Sequence, residues 1–137
     1  MAEERPLSKV VPVLVAALVC DVAAADPSTG KKNLIGIFTR INVGKFPATR
    51  PMSLYIKLTD AAGDYQIDAR YVEVGSGQIL AEAKGELQAT DRLVSIDAHI
   101  DFPPLSIPRE GRYEFQIYAN SIFLGATFID VVPRAQS

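Results

Sequence analysis

Residues 111–132 read GRYEFQIYANSIFLGATFIDVV, two runs of β-type residues joined at Asn120-Ser121. In the first run Tyr113, Phe115, Ile117 and Ala119 alternate with Arg112, Glu114, Gln116 and Tyr118. A period of two marks a strand with one face buried and one face wet. The second run, Ile122 to Val132, is apolar at nearly every position, which predicts a strand covered on both faces. A hairpin cannot hide that much apolar surface by itself. Other strands must pack against it, and the fold class expected is all-β.

The rest of the chain supplies those strands. Val11 to Ala24 predicts a long first strand, and Asp26-Pro27-Ser28-Thr29-Gly30 a turn after it. Asn33 to Val43 predicts a second strand, with Gly36 marking a bulge or a close backbone approach. Gly44 to Pro51 is a proline-held loop that Phe46 is expected to pin to the body. Met52 to Thr59 alternates, with Leu54, Ile56 and Leu58 inward, and Asp60 to Gly63 is expected to close a hairpin onto Tyr65 to Val74. Gly75-Ser76-Gly77 turns into Ile79 to Ala89, an Ala- and Glu-rich segment whose period of two favours a strand over a helix. Leu93 to Phe102 alternates most regularly of all, and Pro103 to Pro108 reads as a polyproline-like crossover. Seven to nine strands at roughly ten-residue spacing predict an immunoglobulin-like, two-sheet antiparallel β-sandwich. One domain is expected over 1–137, with tails at 1–9 and 133–137.

Val10 to Ala25 has the apolar character of a signal peptide, and Ala23-Ala24-Ala25 imitates a cleavage site. Against that, Glu3 and Glu4 offset Arg5 and Lys9, Pro12 falls early, and Asp21 interrupts the run. The run is too short and interrupted for a membrane span. The expectation is a strand, in a cytoplasmic protein that engages no membrane. A formal net charge of -2 offers no footprint for nucleic acid. The single cysteine, Cys20, allows no intramolecular disulfide and reads as a buried structural thiol.

The segments VCDVAAADPSTGKKNLIGIF (19–38), the Phe46-Pro47 loop, and GRYEFQI with the later Leu124-Gly125 resemble an uncharacterised bacterial family known only as a domain of unknown function. The resemblance covers nearly the whole chain. It implies a bacterial source and a small β-sandwich, and it supplies no catalytic residues. Gly111-Arg112-Tyr113, after a Pro-rich link and before a strand, is similar to the tyrosine corner of immunoglobulin-like folds.

Four kinds of site bear on this pattern. Asp97, His99 and Asp101 share one face of one strand, where carboxylates and imidazole could hold a divalent metal, although a solvated polar face explains the same alternation. Asp21, Asp26, Asp60, Asp64 and Asp91 lie near strand ends, as calcium-binding loops would require, but without D-x-D density, and turn propensity accounts for them. No Walker loop, dinucleotide fingerprint or nucleophile motif accompanies the lone His99, so no enzyme and no cofactor is expected.

The fourth kind is an interface. Val11 to Val22, Leu34 to Ile41 and Ile122 to Val132 are apolar on both faces, whereas a two-layer sandwich buries only one face of each sheet. Leu14, Ala16, Leu18, Phe38, Phe123, Ile129 and Val131 are therefore candidates for a covered outer surface on the strand group holding the two chain ends. A homodimer or a constant protein partner would cover it, and so would the N-terminal tail with the Phe46 loop. The expectation is a non-enzymatic interaction or assembly module, with a metal- or ligand-binding sandwich as the alternative.

Overall fold

A computed structural model describes residues 6–134. Nine strands occupy them: β1 (Val13–Ala25), β2 (Lys32–Ile37), β3 (Arg40–Val43), β4 (Ala48–Thr59), β5 (Gly63–Glu73), β6 (Gln78–Ala89), β7 (Ile96–Ile107), β8 (Gly111–Ala119) and β9 (Ile122–Pro133). They form a four-stranded sheet in the order β2-β1-β4-β7 and a five-stranded sheet in the order β3-β9-β8-β5-β6. All pairs are antiparallel except β3 with β9. This is an immunoglobulin-like β-sandwich, with an added β1–β2 hairpin widening the four-stranded layer.

The core lies between the layers. Leu54, Ile56 and Leu58 of β4 face Tyr65, Ile67, Ala69 and Tyr71 of β5 and Tyr113, Phe115 and Ile117 of β8, all essentially without solvent contact. Their alternation in sequence matches their burial, because successive strand residues point to opposite faces. Tyr71 stacks on Tyr113 at 5.5 Å, and Tyr71 and Phe102 both tilt against Phe115. The expected tyrosine corner is present: the Tyr113 hydroxyl donates to the Arg109 carbonyl at 2.6 Å. The Asn120-Ser121 turn is also as expected, with both residues at positive φ (48° and 68°), as a two-residue hairpin requires.

Several local expectations change; among them, Ala48 to Pro51 opens β4 rather than ending a loop, and Leu93 to Ser95 precede β7 rather than open it. The run from Asn33 to Val43 is two strands, because the chain leaves the four-stranded sheet after Ile37 and joins the five-stranded one at Arg40. Asp60 to Gly63 does not close a hairpin, because β4 and β5 lie in different layers and this link is an arch between them. Pro103 to Ile107 is strand rather than crossover: β7 runs on past a register shift and pairs Leu105, Ser106 and Ile107 with Arg50, Thr49 and Ala48. Proline is tolerated there because β7 is an edge strand. Ile129 and Val131, expected in an interface, are core residues with at most 2% exposure, and they face inward beside Tyr113 and Gly111.

The N-terminal segment packs at one end of the sandwich. Ser8 N–H donates to the Asp64 carbonyl at 2.9 Å, Asn120 Nδ2 donates to the Ser8 carbonyl at 3.0 Å, and the Tyr65 hydroxyl donates to the Val10 carbonyl at 2.8 Å. These bonds hold the described part of the tail at the start of β5, so it does not cover an outer face. Phe46 packs against the core as expected. Residues 1–5 and 135–137, part of the expected tails, lie outside the described residues.

Candidate functional site

The outer face of the four-stranded sheet is set by strand register. Leu54, Ile56 and Leu58 point inward, so Ser53, Tyr55 and Lys57 point outward. Directly opposite them on β7 stand Asp101, His99 and Asp97. On the other side, β1 sets Cys20, Leu18 and Ala16 beside the same three residues. Three cross-strand rows result: Ala16–Lys57–Asp97, Leu18–Tyr55–His99 and Cys20–Ser53–Asp101, the last continuing to Ile37 on β2. Val22 and Ile35 face each other one step further along.

This face is divided. The β7–β4 half is polar and internally bonded. The Tyr55 hydroxyl donates to Asp97 Oδ2 at 2.9 Å, and Ser53 Oγ donates to Asp101 Oδ1 at 2.7 Å. His99 Nε2 lies 3.7 Å from Asp101 Oδ2, and its Nδ1 is buried without a partner. Burial pushes the Tyr55 hydroxyl pKa up, and the bond to Asp97 and its charge add to the effect. The β1–β2 half is apolar: Val13, Val15, Leu18, Val22, Ile35 and Ile37 are each between 37% and 63% exposed. Cys20 lies among them, hemmed in by Ile37, Ser53, Leu18 and Val22, and is fully buried. Burial, then the charges of Asp21 and Asp101, push its thiol pKa up.

The opposite outer face, on the five-stranded sheet, is charged and self-paired. Arg112 bonds Asp130 at 2.8 Å and covers the Phe128 ring at 4.1 Å; Arg70 lies over Tyr118 at 4.4 Å, beside Phe123. The two chain ends therefore do not share one apolar surface. Exposed Phe123 belongs to this second face, whereas Leu14 and Phe38 pack against the core. Of the seven residues expected in an interface, Leu18 and Ala16 lie on the apolar half.

Asp97, His99 and Asp101 do share one face, yet among the described residues no group of three His, Cys, Asp or Glu side chains is placed to hold a metal ion. The two carboxylates are instead taken up by hydroxyl donors on β4. The loop aspartates are also dispersed and engaged: Asp21 by Arg50 at 2.6 Å, Asp26 by Ser28, Asp60 by Arg92 at 2.8 Å and Asp91 by the Leu93 N–H. No helix of the described residues is long and apolar enough to cross a membrane.

Val13, Val15, Val22, Ile35 and Ile37 escaped the sequence reading of individual positions. A register shift between Leu14 and Ala16 moves the outward set from odd to even numbers along β1. The visible signal was only that both parities are apolar.

A family model described as a family of unknown function (DUF6941) matches residues 15–132. A comparison with curated proteins finds no match. Among solved structures, the chain is similar to the Pseudomonas fluorescens alkylpurine DNA glycosylase AlkC bound to DNA containing an abasic site analog. There the identity is 17% and the TM-score 0.47, over 93% of this chain and 32% of that one. The Listeria innocua β-glucosidase in complex with isofagomine is 15% identical with a TM-score of 0.42, over 72% of this chain and 15% of that one. An immunoglobulin-like protein from Pseudomonas aeruginosa is 10% identical with a TM-score of 0.35, over 94% of this chain and 97% of that one. The chain thus spans about a third of the glycosylase and a smaller part of the glucosidase.

Proposed function

The chain belongs to this family of unknown function, and on that premise we propose that it is a cytoplasmic, non-enzymatic interaction module that self-associates through the outer face of the four-stranded sheet. One observation carries the reading: six large apolar side chains stand together, half exposed, on one half of one face. A contiguous apolar patch rimmed by polar residues marks a protein-binding surface more often than a free one. The polar half supports a structural rather than a chemical role, since its carboxylates and hydroxyls bond one another.

The test is the solution mass of the full chain by light scattering on a sizing column, alongside Val22→Lys and Ile35→Lys. The expected result is a dimer near twice 14.9 kDa that both substitutions convert to folded monomer. A monomer at every concentration overturns self-association. Cell fractionation that recovers the protein outside the cytoplasm overturns the location.

A further inference from the structure

Resting on that reading, we infer that the occupant of this face is a second copy of the chain, turned about a twofold axis that crosses the strands at the row Leu18–Tyr55–His99. The divided face decides the direction of the axis. An axis running along the strands through the middle of the sheet would lay Ile35 and Ile37 of one copy over the polar β7 edge of the other. An axis across the strands lays β1, β4 and β7 antiparallel over their own copies and sets each β2 alongside the N-terminal half of the other copy's β1, so the apolar half meets the apolar half and the polar half meets the polar half. Such a contact is isologous and closes at two copies.

The apolar residues fit this operation. Val13 and Val15 lie on one side of the row, and Val22, Ile35 and Ile37 on the other, so the rotation brings the two sets together. The rotation also sets Asp97 over the second copy's Asp101, and Lys57 is the cation beside that pair of carboxylates. Lys57 and Asp101 stand one row to either side of the axis. The rotation carries Lys57 over the Ser53–Asp101 pair of the second copy, placing its ammonium between its own Asp97 and the other copy's Asp101. The reciprocal contact forms by symmetry.

The two faces would pack roughly 10 Å apart, as sheets do within a sandwich.

The experiment compares dissociation constants of the full-length wild type, Lys57→Glu, and the double variant Lys57→Glu with Asp101→Lys, by analytical ultracentrifugation, with circular dichroism confirming the fold. The expected result is at least tenfold weaker dimerisation for Lys57→Glu, where the introduced carboxylate would face Asp97 and Asp101 together. The double variant should return to within about threefold of wild type. A wild-type dimer broken by Val22→Lys but indifferent to Lys57→Glu overturns this axis while the proposed function stands. Weakening that the second substitution does not rescue also overturns it. A monomeric wild type overturns both readings.

Discussion

The Tyr113 hydroxyl sits 2.6 Å from the Arg109 carbonyl oxygen, four residues back along the chain, and accepts the Arg109 N–H at 3.3 Å. One phenol thus satisfies both backbone groups of the residue that turns β7 into β8, while its ring stacks on Tyr71 in the core. Tyr113→Phe keeps the ring and strands the carbonyl, at a cost of about 1–3 kcal/mol. Urea unfolding should show a lower midpoint with an unchanged slope; an unchanged midpoint would mean the corner contributes nothing.

Gly36 has φ of 71°, and a Cβ placed on it would run into Asp21 Oδ2, well inside van der Waals contact. Gly36→Ala therefore meets two separate obstacles, the left-handed backbone and the carboxylate. A loss of about 1–2 kcal/mol is expected from the backbone alone, and more with the clash. Adding Asp21→Ala should restore only part of the melting temperature; full restoration would show that the backbone conformation is not a cost.

Ile129 and Phe123 are both apolar residues of β9, but they face opposite ways. Ile129→Ala empties a fully buried site and should cost about 2–5 kcal/mol. Phe123→Ser removes a half-exposed ring whose contact is Tyr118, and should cost under about 1.5 kcal/mol. Equal losses by chemical denaturation would contradict the inward placement of Ile129.

The hydrogen bond from Arg92 holds the Asp60 carboxyl below the usual carboxylate range. Arg112 does the same for Asp130, and Ser28 for Asp26. With folded pKa values depressed, the unfolded chain takes up protons first as pH falls. Their stabilisation is present above the ordinary value of about 3.9 and fades as pH drops below it toward the folded values. A melting temperature followed from pH 7 to 3 should fall on that limb, and Arg112→Gln should make the fall shallower. An identical acid limb in the variant would remove Asp130 from the account.

Cys20 is buried, and its thiol pKa is raised. At pH 7 a chromogenic disulfide should label it slowly in the native protein and fully in denaturant. Rapid native labelling would mean that the apolar half opens readily.

Much of the sandwich was legible because β8 and most of β4, β5 and β7 alternate, and alternation is all that a half-buried strand needs. Even the Ala- and Glu-rich β6 declared itself by period. The layer assignment was not legible. Asp60 to Gly63 has turn chemistry whether it joins neighbours in one sheet or arches between two, and nothing local distinguishes the cases. The outward row of Asp97, His99 and Asp101 was read correctly, but its partners Tyr55 and Ser53 depend on a pairing of β4 with β7 that spans more than forty residues of chain. The apolar half was sensed only as an excess, because one register shift in β1 exchanges which parity faces out.

The passage of the chain from β2 to β3 carries a further implication. Ile35 and Ile37 point away from the core, yet Ile41 points into it, with only Phe38 and Thr39 between the two strands. The chain keeps a single side-chain rhythm while exchanging one layer for the other, so odd positions that met water in the upper sheet meet oil in the lower. The two layers are thereby locked in phase. Gaining or losing one residue between 37 and 40 would force the choice between drowning Ile41 and burying Arg40, whereas a change of two residues would leave the rhythm intact.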